Sequence, residues 1–464
     1  MAIFCGMPQR AFGTGRQGSD ILLRFHLGGL ERRVEVRTSY MAKTLYICYF
    51  GVREPLVQTQ VLPYLRELMK VGIGEDAGSI LPMDVSLLTF EPFREAENLA
   101  EFAVLREKLA AEGIAWEWLP YHKWPSAAAT AWDILRGTIR VWRMHRRSVF
   151  DVFHCRVHVP ALIGNLARKF LLNKPKVLFD VRGLFPEEYT DAGIWPRDGI
   201  LFKIAKKIDK WLMRKSDGFV VLTDNARHLL FPESIVTGRD AFGRPVVTIP
   251  CCVDQKRFEG ANDRTRSEVR EAMGINGRNV AAYLGSFGGW YMSDEMYDFF
   301  EVARKLDKST FLLILTQRNK EVVASRIKEL GFDDRDVFVE GVEPNEVPRY
   351  LVAADYAVSF ILPCYSKRGS SPTKVAEYLA CGLPVVSNRG IGDIDELIEA
   401  DSVGALLERF DDSSYELALQ QIESLISDPG HRERCVASAL ERFDLVKVGG
   451  PRYREIYRKL LTRS

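Results

Sequence analysis

The residues best placed to do chemistry lie between 366 and 384, S-K-R-G-S-S-P-T-K-V-A-E-Y-L-A-C-G-L-P. Ser371 reads as a helix N-cap, Pro372 suits the first helical position, and Gly382 suits the turn that ends the helix. Val375, Tyr378 and Leu379 repeat at core spacing between them. A helix therefore opens directly after the apolar run Y-A-V-S-F-I-L-P (356–363) and a serine-rich loop. Free N–H groups and the positive end of the helix dipole make such a start a site for an anion, phosphate above all. Lys374, in the first turn, is electrostatically disfavoured there unless an anion is present, and Lys367 and Arg368 add positive charge. Glu377 stands at i+3 from Lys374 and i+4 from Thr373, placed to accept hydrogen bonds from sugar or ribose hydroxyls. A plainer arrangement also fits: a capped helix with Lys374 paired to Glu377 across one turn.

Further candidates sit where apolar runs end. L-G-S-F-G-G-W-Y (284–291) follows one run and offers Gly285 and Ser286 in a turn; F-L-L-I-L-T (311–316) leads to Arg318. In the first half, T-L-Y-I-C-Y-F (44–50) runs into G-V-R-E-P-L-V-Q, with Arg53, Glu54 and Gln58 as polar groups in a loop. D-V-F-H-C-R (151–156) ends on His154 and Arg156, and K-V-L-F-D-V-R (176–182) ends on Asp180 and Arg182, which would make a charge pair if buried together.

These positions matter because of the elements that carry them. Short apolar runs alternate with amphipathic stretches throughout, the rhythm of parallel sheets with helices on both faces. The rhythm pauses at 232–245, among Pro232, Gly238, Gly243 and Pro245, and resumes with V-V-T-I-P at 246–250. A chain of 464 residues exceeds what one core usually organises. The expected fold class is α/β: two doubly wound Rossmann-like domains, 41–235 and 246–440, facing each other across a cleft. The segment 441–464, with Tyr453, Ile456, Tyr457 and Leu460 at helical spacing, reads as a helix crossing back to the first domain. Residues 1–40 show neither a signal core nor strand or helix periodicity, and read as an extension ahead of a fold that starts near Met41. In such sheets ligands sit outside the carboxyl ends of the strands.

Composition narrows the class. The net charge is +2 from 64 basic and 62 acidic residues, which gives no footprint for nucleic acid. The eight cysteines include no C-x-x-C pair, which points to a reducing, cytoplasmic setting and no structural metal. No G-x-G-x-x-G follows the first strand of either half, against a nicotinamide enzyme. No run of about 18 apolar residues spans a membrane. One stretch, 132–147, sets Trp132, Leu135, Ile139 and Trp142 on one face and Arg136, Arg140, Arg143 and Arg147 on another. Two readings fit it: a helix covering the sheet with a solvated basic side, or one lying on anionic lipid.

The segment 371–386 resembles the donor-binding stretch of glycosyltransferase family 4, retaining enzymes of the GT-B fold, and its S-P-T-K-x-x-E form resembles a subgroup from bacterial polysaccharide assembly. That family carries two glutamates eight positions apart; Glu377 with A-C-G-L-P-V-V matches the second, and Gly369 stands where the first would be. I-P-C-C-V-D-Q-K-R-F (249–258), L-G-S-F-G-G-W-Y and G-I-G-D-I-D-E-L (390–397) resemble other stretches of the family. The resemblance spans roughly 41–460. It implies that the second domain binds a nucleotide sugar, with Ser371, Pro372 and Thr373 near the diphosphate and Glu377 near the sugar. It implies that the first domain receives a glycan or lipid-linked acceptor. The family's arginine in the glycine loop is Ser286 here, so Lys374, with Arg318 and Arg368, is expected to clamp the phosphates without a metal. A histidine that touches the reacting sugar falls at Arg182. Lys374, Arg182 and Glu377 are therefore the expected catalytic groups. Gly285, Ser286, Arg318, Arg368, Ser371 and Thr373 are further donor contacts. Arg53, Glu54, Gln58, His154, Arg156 and Asp180 are acceptor-side candidates. The rivals are a sugar-nucleotide epimerase or hydrolase of the same fold, and a non-catalytic nucleotide-sugar-binding subunit.

Overall fold

The computed structural model describes residues 21–27, 30–36, 41–70, 83–92 and 99–462, with backbone alone for 21–36. Two of the strands, β1 (Ile21–Leu27) and β2 (Leu30–Val36), pair antiparallel and join neither of the larger sheets. This corrects the expectation that 1–40 lacks strand periodicity: Ile21, Leu23, Phe25 and Leu27 alternate with other residues at the period of a strand. The rest of that expectation, on 1–20 and 37–40, lies outside the described residues.

The first large sheet holds β3 (Ala42–Cys48), β4 (Met83–Pro92), β5 (Ile114–Tyr121), β6 (Val152–Arg156), β7 (Lys176–Val181), β8 (Gly218–Val221) and β9 (Val246–Thr248), in the order β5-β4-β3-β6-β7-β8-β9. Every pairing in it is parallel. The central strands β6 and β8 are buried along their whole length, because crossover helices cover both faces. One face packs on the helices 126–147, 158–169 and 200–215, the other on 62–69 and the last helix, Gly450–Leu461.

The second sheet holds β10 (Val280–Leu284), β11 (Phe311–Leu315), β12 (Val337–Glu340), β13 (Tyr356–Ser359), β14 (Val385–Asn388) and β15 (Gly404–Leu407), ordered β12-β11-β10-β13-β14-β15 and parallel throughout. The α/β class with two doubly wound parallel sheets is as the sequence implied.

Two boundaries differ. V-V-T (246–248), expected to open the second domain, pairs with β8 and completes the first sheet. The stretch 232–245, expected as the linker, belongs to the first half: it holds a short helix, Ser234–Thr237, and an Asp240–Arg244 ion pair of 2.6 Å. Glycine and proline marked turns within a domain there, not its edge. The chain crosses between halves twice, side by side. Val253 N donates to Phe443 O at 2.8 Å, and Leu445 N donates to Val253 O at 3.0 Å. The last helix then returns to the first sheet, burying Tyr453, Ile456, Tyr457 and Leu460.

Candidate active site

In the second sheet the chain steps outward from β10 to β11 and β12, then returns to the other side of β10 as β13. Loops leaving the carboxyl ends of β10 and β13 therefore part from each other and open a crevice. The loop 285–290 forms one wall, 360–371 the other, and the helix Thr373–Ala380 begins between them.

Lys374 is buried, 6% exposed. Its Nζ lies 3.2 Å from Tyr283 Oη, 4.3 Å from the centre of that ring and 3.9 Å from the centre of the Tyr291 ring. Gly285 has φ +128°, which favours glycine, and a Cβ there would stand 3.0 Å from Lys374 Nζ. Burial drives the lysine pKa down to about 7, with the Glu377 charge opposing. The one-turn pair with Glu377 does not form: Arg257 Nη1 takes the Glu377 carboxylate at 3.2 Å, and Arg257 Nη2 donates to Pro344 O at 2.6 Å. Burial raises the Glu377 pKa, and Arg257 opposes the shift. An amine buried among tyrosines at the positive end of a helix keeps its proton poorly by itself and would hold it better beside an anion.

The sequence did not single out Tyr283, Tyr291 or Arg257. A glutamate in a buried helical turn signals that a cation must reach it, but not which one; the partner arrives from the crossing segment, 120 positions away.

Other donor-side expectations divide. Ser371 is not the N-cap. The helix starts at Thr373 with Pro372 as cap residue, and Ser371 Oγ instead accepts from Cys251 N at 3.1 Å, where the chain crosses between halves. Thr373 is half-buried at the start of the helix. Ser286 and Arg318 are exposed at the ends of their loops. Arg368 is exposed too; its carbonyl, not its guanidinium, is engaged, accepting Thr223 Oγ1 at 2.9 Å. Lys367, by contrast, is buried over the Trp290 ring at 3.8 Å, with Glu188 at 3.4 Å. Gly369 faces the first half: a Cβ there would stand 3.5 Å from Leu184 and 3.6 Å from Ala226. A glutamate side chain at 369 would have to enter that contact.

In the first sheet the corresponding switch point lies between β3 and β6. Gly51 opens the loop after β3, and a Cβ there would meet Glu91 Oε2 at 2.7 Å. Glu91, which the sequence did not flag, is buried and accepts Val52 N at 2.8 Å. Gln58 braces the same loop, donating to Val52 O at 2.6 Å. Arg53 turns outward to Glu101 at 2.8 Å, away from the crevice, and Glu54 is exposed at the start of the next helix.

His154, Arg156, Asp180 and Arg182 meet as one network beneath the last helix. Arg182 Nε is 2.9 Å from the Asp180 carboxylate, and Arg182 Nη2 donates to Tyr453 Oη at 2.8 Å. Tyr453 Oη donates to Asp180 at 3.0 Å, and His154 Nδ1 is 2.9 Å from Tyr457 Oη. Arg156 lies 3.8 Å from Asp180 and donates to Gln60 O at 3.4 Å. Burial works to raise the Asp180 pKa, but the Arg182 guanidinium, with His154 and Arg156, holds it well below the usual carboxylate range. Burial lowers the His154 pKa despite Asp180. These groups fasten the last helix to the first sheet. Arg182, expected as a catalytic group, is held in this network by Asp180 at Nε and by Tyr453 at Nη2.

The two sheets meet carboxyl end to carboxyl end. Asp393 accepts from Asp224 N at 2.7 Å and Asn225 N at 3.0 Å, and Asp191 accepts from Ser366 N at 2.9 Å. Loops after β7 and β8 thereby close on loops after β13 and β14.

Residues 265–442, which carry this crevice, match the family described as "Glycosyl transferases group 1". The 2-deoxystreptamine glucosyltransferase of Streptomyces kanamyceticus is 23% identical over 205 residues, 43% of this chain and 50% of that protein. The chain thus spans about half the length of that curated relative. A glycosyltransferase from Rickettsia africae ESF-5 superposes with a TM-score of 0.64 at 16% identity, covering 91% of this chain and 100% of that one. Anabaena Alr3699/HepE, solved in complex with UDP and glucose, superposes with a TM-score of 0.62 at 16% identity, covering 90% of this chain and 99% of that one. At such identities the likeness establishes the fold, which is GT-B.

Proposed function

We propose that the chain transfers a sugar from a nucleotide-sugar donor to a glycan or lipid-linked acceptor, in the assembly of a cell-surface polysaccharide. The observation that carries this is Lys374, whose side-chain nitrogen is buried at the amino end of the helix Thr373–Ala380 against the Tyr283 hydroxyl, two tyrosine faces and Gly285. The match of 265–442 to glycosyl transferases and the UDP bound in Anabaena HepE support a donor diphosphate seated there.

On this reading the bond between the anomeric carbon and the diphosphate breaks as the acceptor oxygen bonds to that carbon. The acceptor proton leaves with the departing diphosphate. Negative charge grows on the leaving group, and the helix dipole and Lys374 are already in place to meet it, so no metal ion is required. Glu377, oriented by Arg257, accepts hydrogen bonds from the sugar hydroxyls. Retention of the anomeric configuration follows the resemblance to family 4. The acceptor enters by the first-half crevice, past Glu54.

A second reading, a non-catalytic nucleotide-sugar-binding subunit, draws on Gly369, which brings no carboxylate and packs on Leu184 and Ala226. An epimerase or hydrolase would share the donor site. Calorimetry and thermal shift with a panel of nucleoside diphosphates and nucleotide sugars, repeated on Lys374→Ala, test the reading. One nucleotide family should stabilise the wild type and not the variant. Equal stabilisation of both would refute the phosphate clamp. Binding without transfer to any acceptor pool would favour the subunit, and free sugar or an epimer formed without acceptor would favour the third reading.

A further inference from the structure

The helix Ser126–Arg147, 22 residues long, splits into three faces. Ala129, Asp133, Gly137, Val141 and Met144 face inward. Gly137 sets the approach: a Cβ there would stand 2.7 Å from Ile163 and 3.0 Å from Phe90. Covering the sheet is thus the task of that row, and the tryptophan row is left over. Trp132 is 53% exposed, Leu135 51% and Ile139 41%. The helix therefore covers the sheet and keeps Arg143, Arg146 and Arg147 in solvent, as one of the two readings expected, and the exposed tryptophan row comes in addition to that.

The exposed stripe does not end with the helix. Trp142 Nε1 donates to Phe170 O at 3.3 Å, which places the turn after the next helix alongside, and Phe170 and Leu172 there are both exposed. Beside the stripe run cations. Arg136 is half-buried, while Arg143, Arg146 and Arg147 are exposed, and Arg146 lies over the Trp142 ring at 4.9 Å. Arg140, at the border with the sheet, is paired with Glu117 at 2.6 Å. Within the helix the one carboxylate is Asp133, buried and bonded to Tyr49 Oη at 2.8 Å. Lys169 and Lys174 add two more exposed cations beside Phe170 and Leu172.

We propose that this face is a docking surface for an anionic lipid bilayer, with Trp132, Leu135, Ile139 and Leu172 entering the interface and the arginines meeting lipid phosphates. Aromatic and aliphatic side chains on one stripe, with unpaired cations at its border, are the chemistry of a helix lying in the headgroup plane. A soluble protein partner would need carboxylates to match; a bilayer rich in anionic lipid supplies such charge as a continuous sheet. Among the described residues no helix is long and apolar enough to cross a membrane, so the contact is with the surface of the bilayer. The helix begins just past the carboxyl end of β5, the end of the sheet on which the crevice opens, and exposed Trp124 marks that start. It extends about 33 Å from there. Its amino end, at Trp124, is thus on the side of the sheet where the crevice opens, and its cationic end, with Leu172, is on the other. The inference stands on the surface alone, and donor binding is a separate property.

The test is co-sedimentation of the full chain with vesicles of phosphatidylcholine alone and of phosphatidylcholine with phosphatidylglycerol. Two variants accompany it, Trp132→Ser with Ile139→Ser, and Arg143→Glu with Arg146→Glu. These side chains are on the surface, so folding should be little changed. Binding is expected only to the anionic vesicles, weakening with salt, and about tenfold or more weaker in either variant. Nucleotide-induced thermal shift should stay as in the wild type, which keeps this result separate from the donor reading. Absence of binding to anionic vesicles, equal binding to neutral ones, or undiminished binding by both variants would overturn the proposal. So would a dimer of the wild type that dissociates in the Trp132 variant, which would assign the face to a second copy.

Discussion

Donor binding should take up a proton, and Lys374 should be where it goes. In the empty protein burial holds this lysine at about 7, against about 10.4 for a lysine in water. An anionic phosphate oxygen about 4 Å away contributes about 4 kcal/mol at an effective dielectric of about 20, or about three pKa units, which restores the ordinary value. At about pH 8 the empty protein carries about one tenth of the charge and the complex nearly all of it, so binding takes up about 0.9 proton. At about pH 6 the uptake falls to about 0.1. Affinity is then flat below about pH 7 and weakens about tenfold per unit above it. Isothermal calorimetry in buffers of differing ionisation enthalpy reads the uptake directly. A nucleotide sugar is the right ligand, since both its phosphates are esterified and neither titrates in this range. Stability gives an independent check. A lysine whose folded pKa is depressed destabilises the fold fully below that value, and the penalty is relieved as pH rises from about 7 to about 10.4. Lys374→Met should stabilise the empty protein at about pH 6 by up to about 5 kcal/mol, with the gain vanishing by about pH 10. Zero uptake at the higher pH, together with pH-independent affinity, would sink the assignment.

Four further outcomes follow from the same geometry. Gly285→Ala forces a Cβ to 3.0 Å from Lys374 Nζ at a φ of +128°; it should cost about 1–3 kcal/mol in urea unfolding and abolish nucleotide-induced stabilisation. Arg257→Met leaves Glu377 buried without its cation and should cost about 3–5 kcal/mol near neutral pH. Because the Glu377 pKa is raised, that loss should shrink as pH falls, and adding Glu377→Gln should recover most of it. Asp180→Asn removes the counter-charge of two buried guanidiniums; the carboxylate's contribution is present above about pH 4 and lost as pH falls below it, so wild type and variant should converge in acid. Transfer activity, once a donor is found, should be unchanged by a chelator, and loss of activity restored by a divalent ion would remove the role given to Lys374.

Period and punctuation were enough to read the α/β class, because strands buried on both faces must be apolar and the crossover helices must be amphipathic. The helix that carries Lys374 was legible too, with its start read at Pro372 and found at Thr373, and with a cation in its first turn. The places where the reading failed share a cause, the competition between partners far apart in sequence. Ser371 has the right side chain for an N-cap, but the crossing segment brings Cys251 N to it, and no local rule contains that donor. Glu377 and Lys374 are spaced to pair, yet it is Arg257, 120 positions away, that holds the Glu377 carboxylate. V-V-T at 246–248 carries a strand's composition but no mark of which sheet it joins. On the Ser126–Arg147 helix the period set the tryptophan row apart from the arginines, but the row that meets the sheet is the one around Gly137, whose value lies in what it lacks.

The closed arrangement of the halves bears on how the donor site operates. The loop 365–371 is held from the first half by Asp191, Glu188 and Thr223, and the turn at Gly392–Asp393 by Asn225. Both segments adjoin the helix that carries Lys374, so separating the halves frees the wall of the donor crevice rather than a remote surface. Gly392 shows how close the approach is: a Cβ there would fall 1.9 Å from Ser370 O and 2.9 Å from Thr223. The Asp393 carboxylate sits at the amino end of the helix that begins at Asp224, where negative charge is favoured, and its three hydrogen bonds there all come from Asp224 and Asn225. Any separation of the halves would exchange these bonds for water, whereas the paired crossings at Val253 and Phe443 lie in the backbone that joins the halves. On the proposed function, a diphosphate drawn in by Lys374 would meet the side of the cleft that these bonds hold, and capture of the donor would be tied to closure of the domains.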